Sequence, residues 1–154
     1  MKVSDIMTKA AVTDAADDSL AEGAARMWHA QTGSLLVTEG DSLLGIVTER
    51  DLLRAIAQGI DPTTTPLKEV MATDLITIQP QTTLREAARI MASKWVRHLP
   101  VIEGGRCVGV LSQRDLTGVL AEALNEPEAM HNLVESSNLV RERRLKRIEA
   151  GDLD

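Results

Sequence analysis

Apolar and polar positions follow the same order in the two halves of the chain. A short apolar run comes first in each half, at residues 11–13 and 75–77, and predicts a brief strand or extended segment. Two further apolar runs follow, joined by a turn sequence rich in Gly and acidic residues, and they predict a hairpin. These runs lie at residues 35–37 and 43–47 in the first half, and at residues 99–102 and 107–111 in the second.

Each half also contains two predicted helices, one before the hairpin and one after it. Ser19 with Glu22, and Thr83 with Glu86, have the spacing in which a side chain and the backbone cap each other at a helix start. Ala and Met residues then recur at helical intervals. Each half therefore reads strand, helix, hairpin, helix, and the predicted fold class is α+β.

The two halves are copies of one unit. A shift of 64 positions, from Gly45 to Gly109, aligns residues 3–56 with residues 67–120 without a gap, which indicates an internal duplication. A glycine and two prolines between the copies predict a linker. The predicted organisation is a first repeat at residues 1–58, a linker at residues 59–66, a second repeat at residues 67–123 and a C-terminal helical tail at residues 124–154.

Composition and charge narrow the range of functions. With 154 residues, 44% of them apolar, the chain can bury one substantial core. A formal charge of −6 and the absence of Phe and Tyr disfavour a nucleic-acid-binding surface, which needs clustered cations or stacking rings. No apolar run is long enough for a signal peptide or a membrane span, so we expect a cytoplasmic protein that contacts no membrane.

Residues with catalytic or metal-binding chemistry are sparse. The single cysteine, Cys107, excludes an intramolecular disulfide and is expected to be a buried, inert apolar residue. The histidines show no metal-ligand spacing with it, so no metal site is predicted. The sequence shows no paired nucleophile and base and no glycine-rich phosphate loop with Lys. We therefore predict that the protein is not an enzyme and has no catalytic residues.

The best candidate site is the junction at the end of each hairpin. There the chain places Thr48 and Asp51 in the first repeat, and Ser112 and Asp115 in the second. This S/T-x-x-D spacing can simply cap a helix. Alternatively, the N–H groups of a helix start bind phosphate together with the hydroxyl, and the Asp accepts hydrogen bonds from a ribose diol. The second interpretation predicts a nucleotide rather than a bare anion.

The duplication, the two junctions and the segment VRHLPV at residues 96–101 together resemble the cystathionine beta-synthase (CBS) domain family in its tandem-pair form. The resemblance extends over residues 3–120. It implies two βαββα repeats packed as a pseudo-twofold pair. It also implies clefts for an adenosine-containing regulatory ligand such as AMP, ADP, ATP or S-adenosylmethionine, no obligatory cofactor, and a regulatory role rather than a catalytic one.

By this resemblance, the hydroxyl and Asp of one repeat face the start and the second strand of the other repeat. Cleft one then combines Thr48, Arg50, Asp51, Leu75, Ile76, Val96, Arg97 and His98. Cleft two combines Ala11, Val12, Thr32, Gly33, Ser34, Ser112, Arg114 and Asp115.

The two clefts are expected to differ in charge. Arg97 and His98 of cleft one can donate hydrogen bonds to phosphate, whereas the corresponding residues of cleft two are Gly33 and Ser34. We therefore expect cleft one to hold phosphate more tightly, and cleft two to be weaker, either empty or open to a ligand with less negative charge. The competing interpretation of Arg97 is a solvated side chain or an ion pair with an acidic neighbour.

The tail adds a C-terminal helical extension to the fold. An apolar stripe predicts a helix roughly from residue 128 to residue 149, after Pro127. Such a narrow stripe suits packing on a second copy, so we predict a homodimer, which CBS-like pairs often form through their helical faces. The basic run RERRLKR is expected to be a solvated helix face.

A second hypothesis gives the protein a structural or interaction role. Its clefts would then be vestigial, and the C-terminal helix would bind an unidentified protein partner. Separately from this hypothesis, Trp28 has only Ala92 as its counterpart in the second repeat. An exposed indole ring at this position would indicate a protein contact.

Overall fold

The computed structural model describes residues 1–9, 11–123 and Lys146. The predicted tail helix, its apolar stripe and the RERRLKR run lie outside the described residues, apart from Lys146, which is helical. In the described part of the chain, no helix has the length and apolar character needed to cross a membrane.

The predicted α+β fold with two repeats is confirmed. The first repeat contains β1 (Thr13–Ala15), α1 (Leu20–His29), β2 (Ser34–Glu39), β3 (Ser42–Thr48) and α2 (Glu49–Ala57). The second contains α3 (Leu84–Lys94), β4 (His98–Glu103), β5 (Arg106–Ser112) and α4 (Gln113–Ala123). A short 3-10 helix leads into each repeat, at Val3–Asp5 and Leu67–Glu69.

The first sheet has the order β1-β2-β3, with β1 parallel to β2 and β3 antiparallel to it. The second sheet consists of the antiparallel pair β4-β5. The strand predicted at residues 11–13 is displaced, since β1 begins at Thr13. Of the two alternatives predicted for residues 75–77, a strand or an extended segment, the strand is absent, because only Ile78 pairs there, in a single parallel bridge to Val101.

A proline explains why the second repeat lacks the first strand. In the first repeat the N–H of Leu36 donates a hydrogen bond of 2.9 Å to the carbonyl of Val12. Pro100 occupies the corresponding position and has no N–H to offer. Pairing therefore starts later, where the N–H of Ile78 donates to the carbonyl of Pro100 at 3.0 Å.

The two predicted helix starts are confirmed by their capping hydrogen bonds. The N–H of Glu22 donates to Oγ of Ser19 at 3.2 Å, and the N–H of Ser19 donates to Oε2 of Glu22 at 2.8 Å. The N–H of Glu86 donates to Oγ1 of Thr83 at 3.2 Å. These bonds satisfy donors that a helix start leaves without intrahelical partners.

The two faces of the first sheet have different partners, because successive side chains of a strand point to opposite sides. On one face a core of residues from α1, the sheet, α2 and the segment after the linker is buried: Leu20, Met27, Leu35, Val37, Val47, Ala55, Leu67 and Val70. On the other face Leu36 and Ile46 pack with Val110 of the second repeat. Cys107 lies against this second cluster and is half-buried, rather than fully buried as expected.

Matching backbone pairs join the two repeats. Ile46 in β3 exchanges two hydrogen bonds with Ala72, and Val110 in β5 exchanges two with Thr8. The 64-position shift carries Ile46 onto Val110 and Thr8 onto Ala72. The leading segment of each repeat therefore pairs with the hairpin of the other, as expected for a pseudo-twofold pair.

Candidate functional site

The first polar junction lies where β3 meets α2. Thr48 directly precedes α2, and Asp51 lies in the first turn of that helix. Oδ2 of Asp51 accepts two hydrogen bonds from Thr48, one from its N–H at 2.8 Å and one from its hydroxyl at 2.7 Å. The capping interpretation is therefore confirmed, and the buried carboxylate is held in a fixed orientation.

The second junction repeats this geometry where β5 meets α4. Oδ2 of Asp115 accepts hydrogen bonds from the N–H and the hydroxyl of Ser112, both at 2.7 Å. The N–H of Asp115 donates back to Oγ of Ser112 at 3.2 Å. Asp115 is half-buried, so its carboxylate is more open to solvent than that of Asp51.

The two junctions differ in what contacts Oδ1, the Asp oxygen that does not accept from Thr48 or Ser112. A terminal N–H of Arg54 donates to Oδ1 of Asp51 at 2.7 Å. The Arg54 side chain is 51% exposed, whereas that of Asp51 is 10% exposed. The corresponding residue in the second repeat is Gly118, which has no side chain to offer. The first carboxylate thus has a cation in its own helix.

The first N–H of each of these helices already has a partner. The N–H of Glu49 donates to the carbonyl of Gly33 at 3.1 Å, and the N–H of Gln113 donates to the carbonyl of Arg97 at 2.8 Å. An anion bound at either helix start must therefore use other N–H groups or side chains.

Arg97 of the second repeat reaches the junction of the first. Its Nη2 lies 3.7 Å from Oε2 of Glu49, the first residue of α2. The two side chains are 48% and 62% exposed, so this is a solvated ion pair. The interpretation of Arg97 as paired with an acidic neighbour is therefore correct. The same contact brings its guanidinium beside the start of α2.

His98 lies at the same meeting point. It is the first residue of β4 and stands opposite Ser112 in the hairpin. A Cβ placed on Gly33 would lie 3.2 Å from Cε1 and Nε2 of His98 and 3.3 Å from the carboxyl carbon of Glu49. Gly33 therefore admits the imidazole because it carries no side chain.

Burial lowers the pKa of His98, and the neighbouring cation of Arg97 lowers it further. The carboxylates of Glu49 and Asp115 act in the opposite direction, and Arg114 acts in the same direction as Arg97. The ring is consequently neutral at pH 7. The structure thus places His98, assigned to cleft one, near Asp115 and Arg114, which are assigned to cleft two.

The remaining predicted cleft residues differ in how far they are buried. Leu75 and Ala11 are half-buried against the cluster formed by Leu36, Ile46 and Val110. Val12, Thr32, Ile76 and Val96 are half-buried, Ser34 is buried, and Arg50 and Arg114 are exposed. Their assignment to a cleft stays a prediction. Within the described residues no three His, Cys, Asp or Glu side chains could hold a metal ion.

Two charged residues of the site were not predicted from the sequence. Arg54 follows Asp51 by three positions in a helix, a spacing at which side chains meet. The contact between them could therefore have been predicted from the sequence. Glu49 meets Arg97 only because the two repeats pack together. No local pattern indicates that contact.

Known proteins resemble this chain in sequence and in fold. The CBS domain model matches residues 3–58 and 67–122. The CBS domain-containing protein YhcV of Bacillus subtilis is 36% identical over 115 residues, which cover 74% of this chain and 81% of YhcV. The crystal structure of ATU1752, a CBS-domain-containing protein from Agrobacterium tumefaciens, is 31% identical with a TM-score of 0.73, covering 77% of this chain and 98% of that one.

The CBS domain pair of protein MJ0100 was solved in complex with 5′-methylthioadenosine and S-adenosyl-L-methionine. It is 25% identical with a TM-score of 0.71, and the match covers 77% of this chain and 98% of that one. Both repeats of the present chain match the family model, and their packing agrees with these solved structures. The chain therefore belongs to the CBS domain family, as a tandem pair of CBS domains.

Proposed function

We propose that this protein is a small regulatory module that binds an adenosine-containing ligand in cleft one and responds by changing its shape or its affinity for a partner. The observation that carries the proposal is the approach of Arg97 and His98 to the start of α2, where Thr48 fixes the carboxylate of Asp51. The proposed ligand is AMP, ADP, ATP or S-adenosylmethionine.

Each part of such a ligand has a chemically suitable partner among the cleft-one residues. The carboxylate of Asp51 only accepts hydrogen bonds, which suits the two hydroxyls of a ribose. Arg97 and the exposed Arg50 carry positive charge for a phosphate, and a guanidinium can bond two phosphate oxygens at once. Apolar contact with an adenine is assigned to the half-buried residues Leu75, Ile76 and Val96.

The relatives support the ligand class rather than one ligand. The two molecules bound by the CBS pair of MJ0100 each carry an adenine and a sugar with two free hydroxyls, and neither carries a phosphate. A ligand of that kind needs an acceptor such as Asp51. AMP, ADP and ATP need a phosphate partner as well, and Arg97 is our candidate for it.

The proposal also covers cleft two and the kind of activity. We assign Ser112, Arg114 and Asp115 to a second, weaker position, which is either empty or takes a ligand with less negative charge. The protein acts by binding and not by catalysis, in keeping with the regulatory role of CBS domain pairs. A cytoplasmic location, expected from the sequence, belongs to the same proposal.

We also propose that the protein is a homodimer. Trp28 on α1 is 74% exposed, and Leu53 and Ile56 on α2 are 67% and 69% exposed. Both helices pack on the same core through their inner faces, so these side chains lie on the outer surface of the first repeat. Large exposed apolar side chains indicate a protein contact, and a second copy presents the same surface for a twofold interface.

Thermal unfolding with AMP, ADP, ATP, S-adenosylmethionine and NAD in turn tests the proposal. A ligand at one hundred times its dissociation constant adds about 2.7 kcal/mol to the free energy of unfolding, which raises the midpoint by several degrees. We expect such a shift with at least one adenosine ligand. A midpoint that none of them moves would favour the structural hypothesis, in which the clefts are vestigial.

A further inference from the structure

Two ion pairs occupy the groups that the proposed ligand needs. Arg54 donates to Oδ1 of Asp51 at 2.7 Å, and Nη2 of Arg97 lies 3.7 Å from Oε2 of Glu49. Arg54 and Glu49 both belong to α2. The corresponding positions of the second repeat are uncharged, namely Gly118 and Gln113. In the first junction, two charged residues of α2 therefore occupy groups that the ligand needs, and the second junction has no charged residue at either position.

The hydrogen-bonding capacity of Asp51 sets a limit on ribose binding. A carboxylate offers about four acceptor positions, two on each oxygen. Thr48 fills both positions on Oδ2, and Arg54 takes one on Oδ1. One position then remains, whereas a ribose diol donates two hydrogen bonds. A diol can bind fully only when Arg54 withdraws.

Both ion pairs can open at small cost. Arg54 and Arg97 are 51% and 48% exposed, so each guanidinium can turn into water without losing its solvation. Asp51 stays buried when Arg54 leaves, and the two ribose hydroxyls then donate hydrogen bonds to its carboxylate. Arg97 and Glu49 are 3.7 Å apart, which is longer than a charge-assisted hydrogen bond. A phosphate can therefore replace Glu49 and form shorter bonds with the guanidinium.

We propose that Glu49 and Arg54 act as a charge latch. Their ion pairs with Arg97 and Asp51 close cleft one until a bound nucleotide replaces them at both residues. The phosphate replaces Glu49 at Arg97, and the ribose diol replaces Arg54 at Asp51. This inference rests on the proposed function of cleft one.

Calorimetric titration of the full chain with AMP and with adenosine tests the latch. Arg54→Ala removes the competitor for Asp51 and should tighten the binding of both molecules about two- to fivefold, the range of a partly exposed ion pair. Glu49→Gln copies the residue of the second repeat. It should tighten AMP binding to a similar extent and leave adenosine unchanged, because adenosine has no phosphate.

A double variant provides the control. Adding Arg54→Ala to Asp51→Ala should bring no gain, since the carboxylate that Arg54 masks is then absent. If the wild type binds AMP and neither Arg54→Ala nor Glu49→Gln binds it more tightly, the latch is refuted and the proposed function stands. If the wild type and the variants bind neither AMP nor adenosine, the latch is refuted; if they also fail to bind ADP, ATP and S-adenosylmethionine, the proposed function fails with it.

Discussion

Ile46 and Ala72 exchange two backbone hydrogen bonds, of 3.0 Å from the N–H of Ile46 and 2.9 Å from the N–H of Ala72. The neighbouring Gly45 makes this approach possible, because a Cβ on it would lie 2.9 Å from the carbonyl oxygen of Ala72. Gly109 holds the same position in the second repeat, where a Cβ would lie 2.7 Å from the carbonyl oxygen of Thr8. The repeated glycine is thus a requirement for pairing the two repeats.

Gly45→Ala should therefore destabilise the protein. The added methyl group has no room, and overpacking of this kind costs about 1 to 3 kcal/mol. Urea unfolding measures the loss. Gly118→Ala is the matched control, because a Cβ at that helical position meets no atom of the other described residues within 4 Å, apart from its own helix backbone and chain neighbours, and alanine is the better helix former. Equal stability of wild type and Gly45→Ala would contradict the close approach described here.

A buried carboxylate in β1 predicts a specific dependence of stability on pH. The Asp14 side chain is 2% exposed, with Oδ1 2.7 Å from Nε of Arg26 and Oδ2 lacking a hydrogen-bond partner among the described residues. Burial first, and then the neighbouring carboxylates of Asp18 and Glu22, together raise the pKa of Asp14 to about 6, against the opposing effect of Arg26. The corresponding residue of the second repeat is Ile78.

Because the folded protein binds this proton more tightly than the unfolded chain, Asp14 contributes stability that is complete below pH 3.8 and is lost as pH rises through about 6. The free energy of unfolding of the wild type, relative to Asp14→Asn, should fall over that interval. Urea unfolding at several pH values measures the difference. A constant difference across the interval would show that Asp14 is ionised throughout.

The position of His98 predicts that phosphate binding takes up a proton. Its pKa is lowered by burial and by Arg97, and a phosphate beside it would raise the pKa again. AMP affinity should therefore increase as pH falls from about 7.5 to about 6.5, above the second pKa of the AMP phosphate at about 6, while adenosine affinity stays level. Calorimetry in buffers of different ionisation enthalpy measures the proton uptake. His98→Gln should abolish it, and an unchanged uptake in that variant would place the titrating group elsewhere.

The proposed dimer contact makes a prediction about one exposed ring. Trp28→Glu places a charge in the apolar surface of α1 and should convert dimers to monomers, as measured by sedimentation equilibrium. Ala92→Glu is the control, because it makes the same change at the exposed corresponding position of the second repeat. A dimer that survives Trp28→Glu as well as Ala92→Glu would exclude this surface as the interface.

Much of the fold could be predicted from the sequence, because the patterns that indicate its helices and strands are local and occur in both repeats. The capping pairs of Ser19 and Thr83 and the alternation of the hairpin strands depend only on neighbours along the chain. The shortened pairing at Ile78 also had a visible cause, the missing N–H of Pro100. A prediction that treats the two repeats as alike in every strand does not take this missing donor into account.

The charges of the site were harder to predict, because they depend on how the repeats pack. Arg97 was assigned to a phosphate from the family resemblance, yet its partner in the structure is Glu49, from the other repeat. The closeness of His98 to Gly33 likewise arises where the two repeats meet. Sequence patterns identify such residues individually, and only the fold shows which charges face one another.

Calorimetric titration of AMP into the wild type, Asp51→Ala and Asp115→Ala tests the central claim most directly. We predict that Asp51→Ala weakens binding more than about tenfold, the effect of losing a charged acceptor, and that Asp115→Ala retains it. Thermal unfolding of each variant confirms that it is folded. Unchanged AMP affinity in Asp51→Ala, or no binding of AMP, ATP or S-adenosylmethionine to the wild type, would contradict a nucleotide site in cleft one.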